Sequence, residues 1–133
     1  MSSIKRYLDI VREADADVLD REKITQKQEV PLHVPGGATV VVLNDHVTPF
    51  EVAVEAVVAA TGLSTSEASK RMMKAHTQGW AAVAAYANRD IAETVADKIM
   101  QHARGNTNYD HYRRYTGHNG PWPLHAEVMD AEQ

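Results

Sequence analysis

The sequence predicts an α+β domain of order β-α-α-β-α-β, a small sheet packed against three helices. Three observations predict it. A β-branched run, Thr39 to Leu43, is too short for a helix and has the composition of a buried strand. Two helix starts of the capping-box type follow, and a glycine ends each of those helices. A second strand-length apolar run then precedes a third helical stripe.

Each element has its own local reason. Gln26 to Gly37 mixes polar residues with Pro31, Pro35 and a glycine pair, which punctuate the chain strongly, so residues 1–37 read as a mobile N-terminal arm and residues 38–133 as the domain. After the strand, Thr48 is the expected N-cap, with Pro49 at N1 and Glu51 at N3. Phe50, Ala53, Val54, Val57 and Val58 then form one helical stripe that Gly62 ends. Ser64 and Glu67 cap the next helix, which places Ala68, Met72, Ala75 and His76 along one side and stops at Gly79. Trp80 to Ala87 has no cap at its start and reads as a strand. Asn88 caps a third helix with the stripe Ile91, Val95, Ile99 and His102, ended by Gly105. The polar stretch after it, an insert at about 105–122, has no assignable structure, and Leu124 to Met129 is the expected last strand.

Composition removes several function classes. The chain has 133 residues, about one domain, and is 44% hydrophobic, enough to build a core. A formal net charge of -4 gives no general attraction for nucleic acid or an anionic membrane. With no cysteine, disulfides, thiol catalysis and Cys-type zinc sites are excluded. The seven histidines lack close helical pairing of the H-E-x-x-H type, so no metal or other cofactor is expected. Ser64, Ser66 and Ser69 have no positioned base, so no catalysis is expected. No run is long enough to span a bilayer, and a cytoplasmic location is expected.

The chemistry concentrates where the first strand ends. Asn44 and Asp45 bring an amide and a carboxylate to a strand-to-helix turn, beside Phe50. Such acceptors next to apolar surface suit a ligand that is cationic at one end and hydrocarbon at the other. His76, when neutral, adds one ring acceptor, and Met72 lies four residues earlier on the same helical face. Taken alone, Asn44-Asp45 is ordinary turn chemistry, and His76 and the Met72-Met73 pair are ordinary core or capping residues.

In combination they resemble the ClpS family, adaptors that hand N-degron substrates to Clp unfoldases. The matching residues are Leu43-Asn44-Asp45, Thr48-Pro49-Phe50-Glu51, Glu67-Ala68, Met72-Met73, Ala75-His76 with Gln78-Gly79, Ala92-Glu93-Thr94 and Pro123-Leu124, in the family's order and nearly its spacing. The resemblance implies binding rather than catalysis. A substrate beginning with Phe, Tyr, Trp or Leu inserts that side chain into an apolar pocket, its α-amino group is held at the rim, and a ClpA- or ClpC-type unfoldase passes it to ClpP. Carried over, Asn44 and His76 contact the amine with Asp45 nearby. The pocket wall is Val42, Thr48, Phe50, Ala53, Met72, Ala75 and Leu124.

There are departures. The family usually writes Asn-Asp-Asp or Asn-Asp-Pro, where His46 stands third here. It commonly has Lys where Val95 stands, a position linked to unfoldase docking, and often larger aliphatics at Ala53 and Ala75 and Met at Phe50. Two other readings are a ClpS-like interaction module that has lost amine binding, and a small nucleic-acid-binding regulator using Lys70, Arg71, Lys74 and the Arg113-Arg114 segment.

Overall fold

The structure is a computed structural model that describes residues 30–118 and 120–130. In chain order it contains β1 (Ala38–Leu43), α1 (Phe50–Thr61), α2 (Thr65–Gln78), β2 (Trp80–Tyr86), α3 (Arg89–Gly105), α4 (Tyr109–Thr116) and β3 (His125–Asp130). The expected fold class holds. One element is additional: helix α4 lies in the stretch left unassigned from the sequence, so four helices rather than three are present among the described residues. The greater part of the expected arm, residues 1–29, lies outside the described residues.

The sheet has the order β2-β1-β3, antiparallel throughout, with β1 central. Central placement explains the uninterrupted valines: Val40, Val41 and Val42 are all buried. An irregularity in the β1–β2 register between Val40 and Val41 lets the successive residues Val83 and Ala84 both enter the core. Residues 30–37 run to the outer edge of β2, where the Ala85 amide donates to the Pro31 carbonyl at 2.8 Å. Gly37 is required there, because a Cβ would stand 2.2 Å from the Tyr86 carbonyl oxygen.

The helices cover one face of the sheet. The core joins Val40 and Val42 of β1 and Ala126 of β3 to Val52 and Val57 of α1, Met72 of α2 and Ile99 of α3. Most of its other members are alanines, so backbones approach closely and few large side chains fill the interior. The α3 stripe differs from expectation. Ala92, Val95, Ala96, Ile99 and Ala103 are buried, whereas Ile91 is 50% exposed and His102 is on the surface. The face turned inward is the one whose alanines let α3 lie close to α1 and the sheet, and the larger Ile91 is displaced outward.

Two of the expected caps form. Ser64 Oγ accepts from the Glu67 amide at 3.1 Å, and Asn88 Oδ1 accepts from the Asp90 amide at 2.7 Å. The Thr48 box does not form: α1 begins at Phe50 with Pro49 as N-cap and no side-chain cap bond. The Pro49 carbonyl opens the helix instead, accepting from Val52 at 3.0 Å and Ala53 at 3.1 Å.

Trp122 is the largest fully buried side chain and was not anticipated. Tyr109 and Tyr112 of α4 meet its ring edge-on, at centroid distances of 5.4 and 5.9 Å, and His118 tilts over it at 5.4 Å. The insert is thereby attached to the domain by an aromatic cluster. Trp122→Ala is expected to cost about 3–5 kcal/mol, read as a lower urea midpoint, with Trp122→Phe retaining more of the stability.

Candidate functional site

At the end of β1, the Asn44 backbone N–H donates to the Gly79 carbonyl at 2.9 Å, tying the strand exit to the turn between α2 and β2. Gly79 has φ +96° and closes α2 with its own amide on Ala75, so the α2 end and the Asn44 turn meet at one place. Asp45 then shapes the connection to α1. Its Oδ1 accepts from the Val47 amide at 2.7 Å and the Thr48 amide at 2.5 Å, which turns the chain sharply before Pro49. Asp45 thus does the turn chemistry that its residue type suggested, while its side chain also faces the cavity described next.

Helix α2 supplies the opposite wall. Arg71 Nη1 donates to the Val83 carbonyl at 2.7 Å, and its Nε pairs with Glu67 at 3.0 Å, fastening α2 to β2. This removes Arg71 from the basic face that the nucleic-acid reading drew with Lys70 and Lys74; the Arg71 side chain is only 11% exposed. With α2 fixed, Met72 is buried and His76, one turn on, reaches the surface. The Phe50 ring stands nearly perpendicular to His76, at 73° and 6.2 Å between centroids. Leu124 closes the site from just before β3, its carbonyl accepting from Arg104 Nη1 at 3.0 Å.

These elements enclose a cavity of about 180 Å³. Asn44, Asp45, His46 and His76 line it with Thr48, and Phe50, Ala53, Met72 and Leu124 complete the wall. The structure therefore brings together all three expected amine-binding residues and five of the seven expected wall residues. Val42 and Ala75 are fully buried in the core and are not among the residues lining this cavity. On β1 and on α2 their side chains are occupied by core packing. His46, noted from the sequence only as a departure, is part of the lining.

The cavity has a clear electrostatic character. Its nine lining residues include one carboxylate and two imidazoles but no lysine or arginine. Asp45 Oδ2 and Thr48 Oγ1 are buried with no hydrogen-bond partner among the described residues. A small ammonium group would meet acceptors and no permanent cation here. A wider groove of about 580 Å³ lies elsewhere, between α1 and the end of α3 at Ala59, Ala60, Lys98 and His102. It is broadly open, whereas the smaller cavity is more enclosed and gathers Asn44, Asp45 and His76 beside Phe50, Met72 and Leu124, so the smaller cavity is the better binding site.

Comparison with known proteins identifies the family. The family model of ClpS, the ATP-dependent Clp protease adaptor protein, matches residues 35–110. The chain belongs to the ClpS family. Adapter proteins named ClpS from Paraburkholderia phymatum and Paraburkholderia xenovorans are each 35% identical over 81 residues, covering 61% of this chain and 77% of theirs. A solved structure of Agrobacterium tumefaciens ClpS2 bound to L-phenylalaninamide is similar with a TM-score of 0.53 and 28% identity, over 73% of this chain and 99% of that one. The α4 region extends beyond the family match, which stops at residue 110.

Asp45→Ala is expected to cost about 0.5–2 kcal/mol, the worth of a lost side-chain cap, and to speed amide exchange at Val47 and Thr48. Asp45→Asn keeps an acceptor and should leave that exchange slow.

Proposed function

We propose that this ClpS-family chain binds the N-terminal residue of N-degron proteins and delivers them to a Clp AAA+ unfoldase working with ClpP. The observation that carries the reading is a small cavity that joins an apolar wall of Phe50, Ala53, Met72 and Leu124 to Asn44, Asp45 and His76, with no lysine or arginine in its lining. An N-terminal Phe, Tyr, Trp or Leu places its side chain against Phe50, Ala53, Met72 and Leu124. Its α-ammonium, with three donors, is held by the Asn44 side-chain carbonyl and a His76 ring nitrogen, with Asp45 supplying charge. L-Phenylalaninamide, the ligand of the similar Agrobacterium protein, has this combination of free amine and apolar side chain.

The magnitudes make both halves necessary. Burying a Leu or Phe side chain stabilises the complex by roughly 1.5–3 kcal/mol. Blocking the amine removes its charge and leaves rim acceptors unpaired, at about 1–3 kcal/mol. The adaptor has a positioning task only, and in this reading the unfoldase and peptidase supply the chemistry. Residues 1–37 are the proposed arm that engages the unfoldase. Val95, where a family lysine commonly stands, is 7% exposed, so any docking through that helix relies on neighbouring groups such as Glu93, which pairs with Arg89 at 3.0 Å.

Calorimetric titration tests the reading. A peptide beginning with Phe is expected to bind and its acetylated twin to bind about five- to 150-fold more weakly, in line with roughly 1–3 kcal/mol. Asn44→Ala and His76→Ala should each lower affinity by about ten- to a hundredfold, the range for a hydrogen bond to a charged group, with unchanged circular dichroism. Equal binding of the free and acetylated peptides would refute amine recognition. His46→Asp adds a second carboxylate at the rim and should tighten binding of the free-amine peptide, with less effect as salt increases.

A further inference from the structure

We infer that Phe50 and Ala53 make this cavity selective for N-terminal aromatic residues over leucine. The inference rests on the N-degron reading and narrows its ligand class. Phe50 is the one phenylalanine of the chain, and it stands at the cavity wall with its ring set edge-on to His76, 6.2 Å away. A phenyl ring has only two side-chain torsions, and this contact gives it a preferred orientation, so it presents a flat and comparatively rigid wall. Three residues along α1, Ala53 lines the same cavity with nothing beyond its methyl group, so the wall recedes beneath the ring. Met72, from α2, provides a polarizable thioether.

A guest ring fits this arrangement in ways a leucine side chain does not. It can stack on or meet the Phe50 ring edge-on, and it can take up the sulfur contact with Met72. The short Ala53 side chain leaves more room for a planar ring than a larger residue there would. A leucine side chain is shorter and branched at Cγ; it gains the transfer from water but neither aromatic contact, and it leaves part of the recess unfilled.

Peptides that differ only in their first residue, each free and acetylated, test this by calorimetry. The Phe peptide is expected to bind about tenfold more tightly than the Leu peptide, from the combined ring and sulfur contacts. Phe50→Leu keeps an apolar wall without the ring and should bring the two affinities to within about threefold. Its retained binding of the Leu peptide shows that the variant is folded. Ala53→Val fills the recess and should weaken Phe and Trp peptides more than the Leu peptide. Equal affinity of wild type for Phe and Leu, or an unchanged ratio in Phe50→Leu, overturns this inference alone. Acetylated peptides binding as well as free ones overturn it together with the reading beneath it.

Discussion

The Asp45 carboxylate braces the place where β1 becomes α1, and the rest of the site is arranged around that brace. One oxygen holds two successive amides, Val47 and Thr48, and so brings Pro49 and Phe50 back over the end of the strand. The Asn44 backbone N–H on the Gly79 carbonyl does the corresponding work from the other side, fixing the end of α2 against the same turn. Between the two ties, Phe50 and His76 come within ring contact, and a cavity opens below them. Without the carboxylate, the loop would have two unpaired amides and no reason to turn at that point. The two oxygens of Asp45 have different surroundings: Oδ1 holds the two amides, and Oδ2 is buried without a hydrogen-bond partner among the described residues.

The fold was largely legible because its signals are local. The β-branched run of β1, the Ser64 and Asn88 caps, and the terminating glycines Gly62 and Gly79 each act within a few residues, and each performs as expected. The α1 start differs from the expectation because two competing devices meet at Thr48. Thr48 has the residue type of an N-cap, but Asp45 already holds its amide, and the helix begins two positions later. The α3 stripe was misjudged for a different reason. Periodicity weights large apolar residues, whereas this packing selects alanines for close approach and leaves Ile91 half exposed.

The candidate site was legible in its chemistry and less so in its depth. Asn44, Asp45, His76 and most of the apolar wall converge, since strand-to-helix turns and i, i+4 spacing translate directly into proximity. Which side chains reach the cavity surface and which fill the core behind it depends on three-dimensional packing. Val42 and Ala75 could not be separated from Ala53 and Leu124 by pattern alone. Trp122 escaped notice because it lies in a polar stretch, where apolar periodicity gives no signal; its position between Pro121 and Pro123, in the otherwise tyrosine-, histidine- and arginine-rich segment, was the one available hint.

That tryptophan changes what the late excursion is. In a core made chiefly of alanine and valine, the indole supplies an unusual share of the interior volume, and it is delivered by the same segment that holds Tyr109, Tyr112 and His118 around it. The excursion is therefore not a decoration that can be spliced out at its two ends. A chimera that replaces it with a short turn leading to Leu124 would also have to find another plug for the hole left under α4, on pain of a loosened interior next to the pocket wall.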